Sequence, residues 1–218
     1  MSIFTALVVA GIFIYLSGSN PIQAYLALVS GAFGDADSMI TTVIKTVPLL
    51  IAGLGVAVAF RGGLFNIGVE GQLFVGSVAT VIVGTNIHAP VLIHLPLTLL
   101  AGMAAGSLWA AIPGFLKARY GANEVITTIM TNYIALRIIT WSIGARGPLR
   151  KATSVVPETN SLVETAQLPT LIADSRLHIG IFLALLLAFL IYLLLFRTPL
   201  GLEIRIVGLN LHAAQYAG

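Results

Sequence analysis

The sequence contains no cysteine and has few charged residues. The absence of cysteine excludes disulfide bonds, iron–sulfur clusters and thiolate metal sites. Only 9% of the 218 residues are charged, whereas soluble domains average roughly 25%. Hydrophobic residues make up 58% of the chain, and its mean hydropathy is +1.00. This composition excludes an ordinary soluble domain and indicates a protein of the lipid bilayer.

The sequence also lacks the local motifs of the common catalytic sites. It has no GxSxG, HExxH or GxxxxGK motif, which would indicate a serine hydrolase, a zinc peptidase or a phosphate-binding loop. Its four histidines are not spaced as metal ligands are. The formal charge of +3 comes from scattered residues, which argues against nucleic acid as a partner. We therefore expect no enzyme activity, no metal and no cofactor bound by this chain.

Six apolar segments approach the length of about 20 residues that a helix needs to cross a bilayer. They predict an all-α, polytopic transmembrane helix bundle with about six spans. The first segment is short, but no Lys or Arg precedes it as in a signal peptide, so we interpret it as a span. The segments are Ile3–Leu16, Met39–Phe60, Leu64–Gly84, Val91–Pro113, Val125–Ile143 and His178–Phe196.

The distribution of basic residues predicts the orientation of these segments. Lys and Arg are enriched in cytoplasmic loops, which assigns one set of segment ends to the cytoplasm: Arg61, Lys117, Arg119, Arg197 and Arg205. The opposite loops are then external: Ser17–Ser38, which carries Asp35 and Asp37, Thr85–Pro90, and a long polar loop over 144–177. That long loop is an exception to the charge rule, because it contains three arginines and a lysine.

Glu70 is a carboxylate inside an otherwise apolar segment, beside Asn66 and Gln72. Such a group costs about 2.5 to 3.5 kcal/mol at membrane depth, so it normally faces a bundle interior or an aqueous path. If the segment is one helix, Asn66, Glu70 and Ser77 lie in one stripe on one side of it. Glu70 would then lie about 9 Å from the cytoplasmic end of that helix. The fifth segment has two similar stripes. The candidate path residues are Asn66, Glu70, Ser77, Asn123, Thr127 and Asn132.

Two interpretations of these polar residues remain open. Amides and hydroxyls on two facing helices offer donors and acceptors to a polyhydroxylated solute. They can instead form hydrogen bonds between helices, worth about 0.6 kcal/mol each. For the threonines we favour the second interpretation, and for Glu70 neither is preferred. Lys45 and Arg137 either face the path or extend to the outer interface.

Three stretches together resemble one family. They are FRGGLFNIGVEGQLFVG (60–76), KARYGANEVITTIMTNYIA (117–135) and RTPLGLEIRIVGLNLHAAQYAG (197–218). They are similar to the permease subunits of bacterial ABC importers, in the branch for nucleosides and simple sugars that is related to ribose and branched-chain amino acid permeases. The resemblance covers nearly the whole chain, which we interpret as a single transmembrane permease domain over 1–218, incomplete at its carboxyl end.

This resemblance implies partners and a second site. It implies a second permease copy or relative, two cytoplasmic ATPases that use ATP, and an extracellular or periplasmic solute-binding protein, all at a bacterial plasma membrane. Residues 197–218 would form a cytoplasmic coupling segment that turns at Pro199 and Gly201 and continues in a short helix capped by Asn210. The candidates for ATPase contact are Leu209, Asn210, Leu211, His212, Ala213, Ala214, Gln215 and Tyr216.

The sequence thus predicts import of a nucleoside or simple sugar by alternating access, coupled to separate ATPase subunits. The alternative is a secondary transporter or channel for small polar solutes that needs no ATPase.

Overall fold

The computed structural model describes residues 1–172, 175–211, 214 and 216. Over these residues the chain forms eight α-helices and one 3-10 turn, Glu164–Ala166. Each of the six predicted apolar segments forms a helix, so the all-α class is confirmed. The helices are α1 (Ser2–Leu16), α2 (Pro21–Phe33), α3 (Ala36–Arg61), α4 (Val69–Asn86), α5 (Val91–Tyr120), α6 (Glu124–Ile143), α7 (Gly180–Arg197) and α8 (Pro199–Leu209).

Membrane-spanning character is clearest in three of the described helices. The helices α3, α5 and α7 are long and apolar enough to cross a bilayer, and α1 with α2, bent by 118° at their junction, raises the number to four if the pair counts as one span. The helices α4 and α6 carry more polar residues and do not reach this standard, so their part in the predicted six spans stays a prediction.

The contacts within the chain divide it into two compact units. The first comprises Met1–Leu49 and Pro169–Ala184, and the second comprises Leu50–Leu168 and Leu185–Gly218.

In the first unit, the interpretation of Ser17–Ser38 as a loop is wrong, because most of it is the helix α2; its external side stays a prediction. The Asn20 side chain accepts hydrogen bonds from the amides of Ile22 and Gln23, and Pro21 occupies the first turn, which is the usual start of a helix. At 13 residues, α2 is shorter than the roughly 20 residues that cross a bilayer, so the pattern of whole spans does not reveal it. The next helix begins directly, with the Ser38 amide donating to Asp35 Oδ1 at 2.7 Å.

In the second unit, α4 packs along α5 and α6 through small residues. A Cβ added to Gly76 would lie 3.0 Å from the Gly102 carbonyl oxygen, and one added to Gly106 would lie 3.2 Å from the Gln72 carbonyl oxygen. The glycines therefore bring the two backbones close together, as small residues do in membrane helix pairs. Gly102 and Gly106 form a GxxxG arrangement in the sequence, and helix packing is the role that the structure shows for them.

The loop after α6 is hydrogen-bonded to the carboxyl end of α4 and to the beginning of α5. The Val163 amide donates to the Gly84 carbonyl at 2.9 Å. His94 is fully buried, with Nδ1 2.7 Å from Thr165 Oγ1 and Nε2 3.3 Å from the Val83 carbonyl oxygen. Because a carbonyl only accepts, Nε2 carries the proton of this contact. His94 thus joins α4, α5 and the 3-10 turn.

Candidate functional site

The site is built where the chain enters α4. Gly63, at φ 74°, ends α3 in a left-handed conformation that glycine adopts without strain. The next residues are not helical, and α4 begins only at Val69. Asn66 therefore lies in a loop and not on the predicted helical stripe. Its Oδ1 accepts from the Gly68 amide at 2.9 Å and from Gln72 Nε2 at 3.3 Å, which holds the entry to the helix.

Asn132 on α6 completes the start of α4. Gly68, the residue before the helix, has no side chain to cap it. Asn132 Oδ1 instead accepts from the Gly71 amide at 2.9 Å, and Asn132 Nδ2 donates to the Ile67 carbonyl at 2.9 Å. One amide group thereby satisfies a free donor of the first turn and a carbonyl of the preceding loop. For Asn132, the structure shows the interhelical bonding that was one of the two interpretations.

Gly71 makes this contact possible because a side chain there would block it. A Cβ on Gly71 would lie 2.7 Å from Asn132 Oδ1 and 3.2 Å from Trp109 Nε1. The Trp109 Nε1 atom is buried and has no hydrogen-bond partner within the described residues. The sequence alone does not single out Trp109, since an indole in an apolar helix gives no sign of what it faces.

Glu70 lies nearer the end of its helix than predicted. It is the second residue of α4 and not a residue two turns inside it, because the helix begins five residues later than the apolar segment. A carboxylate in the first turn interacts favourably with the helix dipole. Glu70 is exposed and forms no hydrogen bond or ion pair with another described residue.

A groove between α4 and α6 contains the Glu70 side chain. It is a cavity of about 250 Å³ lined by Glu70, Phe74, Ile129, Asn132, Tyr133 and Leu136. It combines a carboxylate, an amide and a phenol with apolar walls. Such a mixture of a few polar groups and an apolar lining is typical of sites for small organic molecules.

The remaining path candidates lie outside this groove. Asn123 caps α6 by accepting from the amides of Val125 and Ile126, and the Thr127 hydroxyl donates to the Asn123 and Glu124 carbonyls. Ser77 donates to the Phe74 carbonyl at 2.8 Å and lines a separate cavity of about 130 Å³ that also contains Glu158 of the long loop. The structure therefore brings Glu70 and Asn132 together in one groove. Asn66 lies in the loop before α4, and Ser77, Asn123 and Thr127 lie elsewhere.

A second polar feature joins α5 to α6. The fifth helix continues past the predicted end at Pro113 to Tyr120, so Lys117 and Arg119 lie in its last turn and not in a loop. Lys117 Nζ is 2.8 Å from Glu124 Oε2. The pair lines a cavity of about 200 Å³ together with Asn66 and Thr128.

The coupling candidates follow α7. The Thr198 side chain accepts from the Gly201 amide, and Pro199 is the first residue of α8, so the predicted turn at Pro199 and Gly201 is wrong: the chain bends at Thr198 and these two residues are helical. Asn210 ends α8, and its carbonyl accepts from the Ala214 amide at 3.0 Å. Leu209, Leu211 and Tyr216 are exposed. His212, Ala213 and Gln215 lie outside the described residues.

The long apolar helices α3, α5 and α7 indicate an integral membrane protein. Comparison with known families is more specific. Residues 38–218 match the model of the permease component of the branched-chain amino acid transport system. The chain therefore belongs to this family of transport permeases.

Individual relatives carry narrower names. A guanosine ABC transporter permease protein of Bacillus subtilis is 44% identical over 100% of this chain and 63% of its own length. A glucose ABC transporter permease protein of Haloferax volcanii is 32% identical over 100% of this chain and 60% of its length. A nucleoside ABC transporter permease protein of Lactococcus lactis is 36% identical over 92% of this chain and 57% of its length.

The chain thus spans about three fifths of the length of these relatives. No solved structure matches it.

Proposed function

We propose that the chain is the membrane-spanning part of an ATP-driven importer for nucleosides or simple sugars. The observation that carries this proposal is its 44% identity, over the whole chain, to a guanosine ABC transporter permease. The groove of Glu70, Asn132 and Tyr133 supports it, because hydroxyls and ring N–H groups of such solutes can pair with a carboxylate, an amide and a phenol.

The proposed assembly contains a second permease subunit, two cytoplasmic ATPases that bind ATP, and a solute-binding protein outside a bacterial plasma membrane. This chain would bind no cofactor and perform no covalent chemistry. Its part is to present different contacts to the ATPases in inward- and outward-open states, because a ligand shifts an equilibrium only through such a difference.

The complete complex, reconstituted in vesicles with its binding protein, tests this function. We expect uptake of labelled guanosine or glucose that requires ATP hydrolysis on the ATPase side. Uptake that persists without ATPase subunits and collapses with an ion gradient would instead establish the alternative, a secondary transporter or channel.

The substitution Glu70→Gln tests the groove within that assay. We expect uptake to fall, because a carboxylate pairs more strongly than an amide with N–H and O–H donors. The unfolding free energy should change by less than about 1 kcal/mol, since only the helix-dipole interaction of an exposed carboxylate is lost. Asn86→Leu, which removes an exposed amide at the other end of α4, is the control. Unchanged uptake by the Glu70→Gln variant would remove Glu70 from the path.

A further inference from the structure

The turn after α3 and the end of α8 meet through backbone alone. A Cβ on Gly208 would lie 2.9 Å from the Gly63 amide nitrogen and would overlap the Arg61 carbonyl, and one on Gly63 would lie 3.0 Å from Gly208 Cα. Two glycines therefore face each other with no side chain between them. Contact this close fixes the distance between the two segments, because neither backbone can yield as a flexible side chain would.

Three further side chains, one of them Arg61 in the same turn, form contacts beside this junction. The guanidinium carbons of Arg61 and Arg205 lie 5.5 and 5.4 Å from the centre of the Phe196 ring, within the range of cation–π attraction. Phe196 is near the end of α7, Arg61 ends α3, and Arg205 lies in α8. One ring thus links the ends of α3 and α7 to α8.

The turn leads directly into the candidate site. Gly63 is followed by the loop in which Asn66 accepts from the Gly68 amide at 2.9 Å. In the same loop, the Ile67 carbonyl accepts from Asn132 at 2.9 Å. The loop after Gly63 is therefore hydrogen-bonded to the first turn of α4 and, through Asn132, to α6.

We propose that the turn Arg61–Gly63 and α8 move as one body, and that Gly63 and Gly208 are positioning residues for transport. Through their contact, movement of α8 reaches the groove of Glu70 and Asn132 by way of the α4 entry loop. This inference rests on the proposed function, because it assigns the path by which an ATPase bound at the coupling candidates directly after α8 acts on the solute site.

The first test compares Gly208→Ala with Gly55→Ala in the full reconstituted complex. Both place a methyl group in a helix, but Gly55 in α3 has open space around it. We expect Gly208→Ala to lower guanosine or glucose uptake per ATP hydrolysed about tenfold, with ATPase activity and co-purification of the ATPases retained. Gly55→Ala should behave as the natural protein does.

The results separate the two proposals. If the natural complex shows no ATP-driven uptake of either probe, the proposed function fails and the junction proposal fails with it. If the natural complex transports and Gly208→Ala equals Gly55→Ala, only the junction proposal fails.

A cross-link keeps the test decisive if Gly208→Ala does not assemble. A Cβ on Gly62 would lie 3.6 Å from Ile204 Cγ2, so Gly62→Cys with Ile204→Cys places two thiols next to each other in this cysteine-free chain. Loss of thiol labelling on oxidation verifies that the disulfide has formed. Segments that move together should transport equally well oxidised and reduced, as each single-cysteine control should. Uptake that stops on oxidation and returns on reduction shows that the segments separate, which overturns the proposal.

Discussion

Asn132 shows how one side chain can determine where a helix begins. Its acceptor atom binds the Gly71 amide and its donor binds the Ile67 carbonyl, both at 2.9 Å. Leucine has a similar volume but neither function. A buried backbone group that loses its partner costs about 1 to 3 kcal/mol.

We therefore expect Asn132→Leu to lower the unfolding free energy in detergent by about 2 kcal/mol. The matched control is Asn86→Leu, because Asn86 donates only to the Ile82 carbonyl of its own helix and to neighbouring Thr85. Equal losses in the two variants would mean that the contact between α6 and α4 contributes nothing.

Residue types in the sequence were enough to select Asn66 and Asn132, but not to assign their partners. A polar side chain in an apolar segment must find a partner or face water, and both residues do find partners. Whether that partner is a solute, another helix or a nearby amide depends on how the backbone runs. Asn123 and Thr127 have partners within their own helix, as is common for residues beside a helix start.

Among the helices, the sequence predicted existence better than boundaries. The apolar pattern predicts one helix over Leu64–Gly84, yet its first residues form a loop in which Asn66 and Asn132 make hydrogen bonds to the backbone. The fifth helix is longer than its apolar segment. Lys117 and Arg119, predicted in a loop, belong to the last turn of α5, where basic side chains interact favourably with the helix dipole. The missed helix α2 was signalled by Asn20–Pro21, a capping pattern that a search for spans ignores.

The packing of α4 on α5 gives a prediction about methyl groups. Gly76→Ala places a Cβ 3.0 Å from the Gly102 carbonyl oxygen, whereas Gly114→Ala in α5 meets open space. Both gain helix propensity, but only the first overpacks, so Gly114→Ala should be more stable by about 1 to 3 kcal/mol. Unfolding in detergent measures the difference. If Gly76→Ala is the more stable variant, close approach of the helices is not required.

The loop after α6 gives a prediction about pH. Hydrogen bonding from Ser154 and from Lys151, whose Nζ lies 3.3 Å from Glu158 Oε1, lowers the pKa of Glu158 below its ordinary value. A carboxyl whose pKa is lower in the folded state stabilises that state above its unfolded pKa, and this contribution is lost as pH falls. The backbone N–H of Lys151 donates to the Glu158 carbonyl. Hydrogen exchange of this amide, relative to its intrinsic rate, should become faster below about pH 4.5, the ordinary pKa of a Glu carboxyl. Glu158→Gln should remove that dependence.

For the molecule as a whole, α7 makes the membrane topology testable. This helix is long and apolar enough to span a bilayer, so the residues before it and after it must lie on opposite sides. Because the chain has no cysteine, Thr153→Cys and Leu209→Cys each introduce a single thiol. A membrane-impermeant reagent should label Thr153→Cys in whole cells and Leu209→Cys only in inverted vesicles. Labelling of both from one side would contradict the external loop at 144–177 and the cytoplasmic coupling segment at 197–218.

The capping of α4 by Asn132 also has a consequence for biosynthesis. Residues 66–71 leave the ribosome some sixty positions before the amide that completes their hydrogen bonds. Until α6 has been synthesised, the first turn of α4 and the loop before it have polar backbone groups without their final partners. The beginning of this helix therefore becomes final only after two later helices have been made.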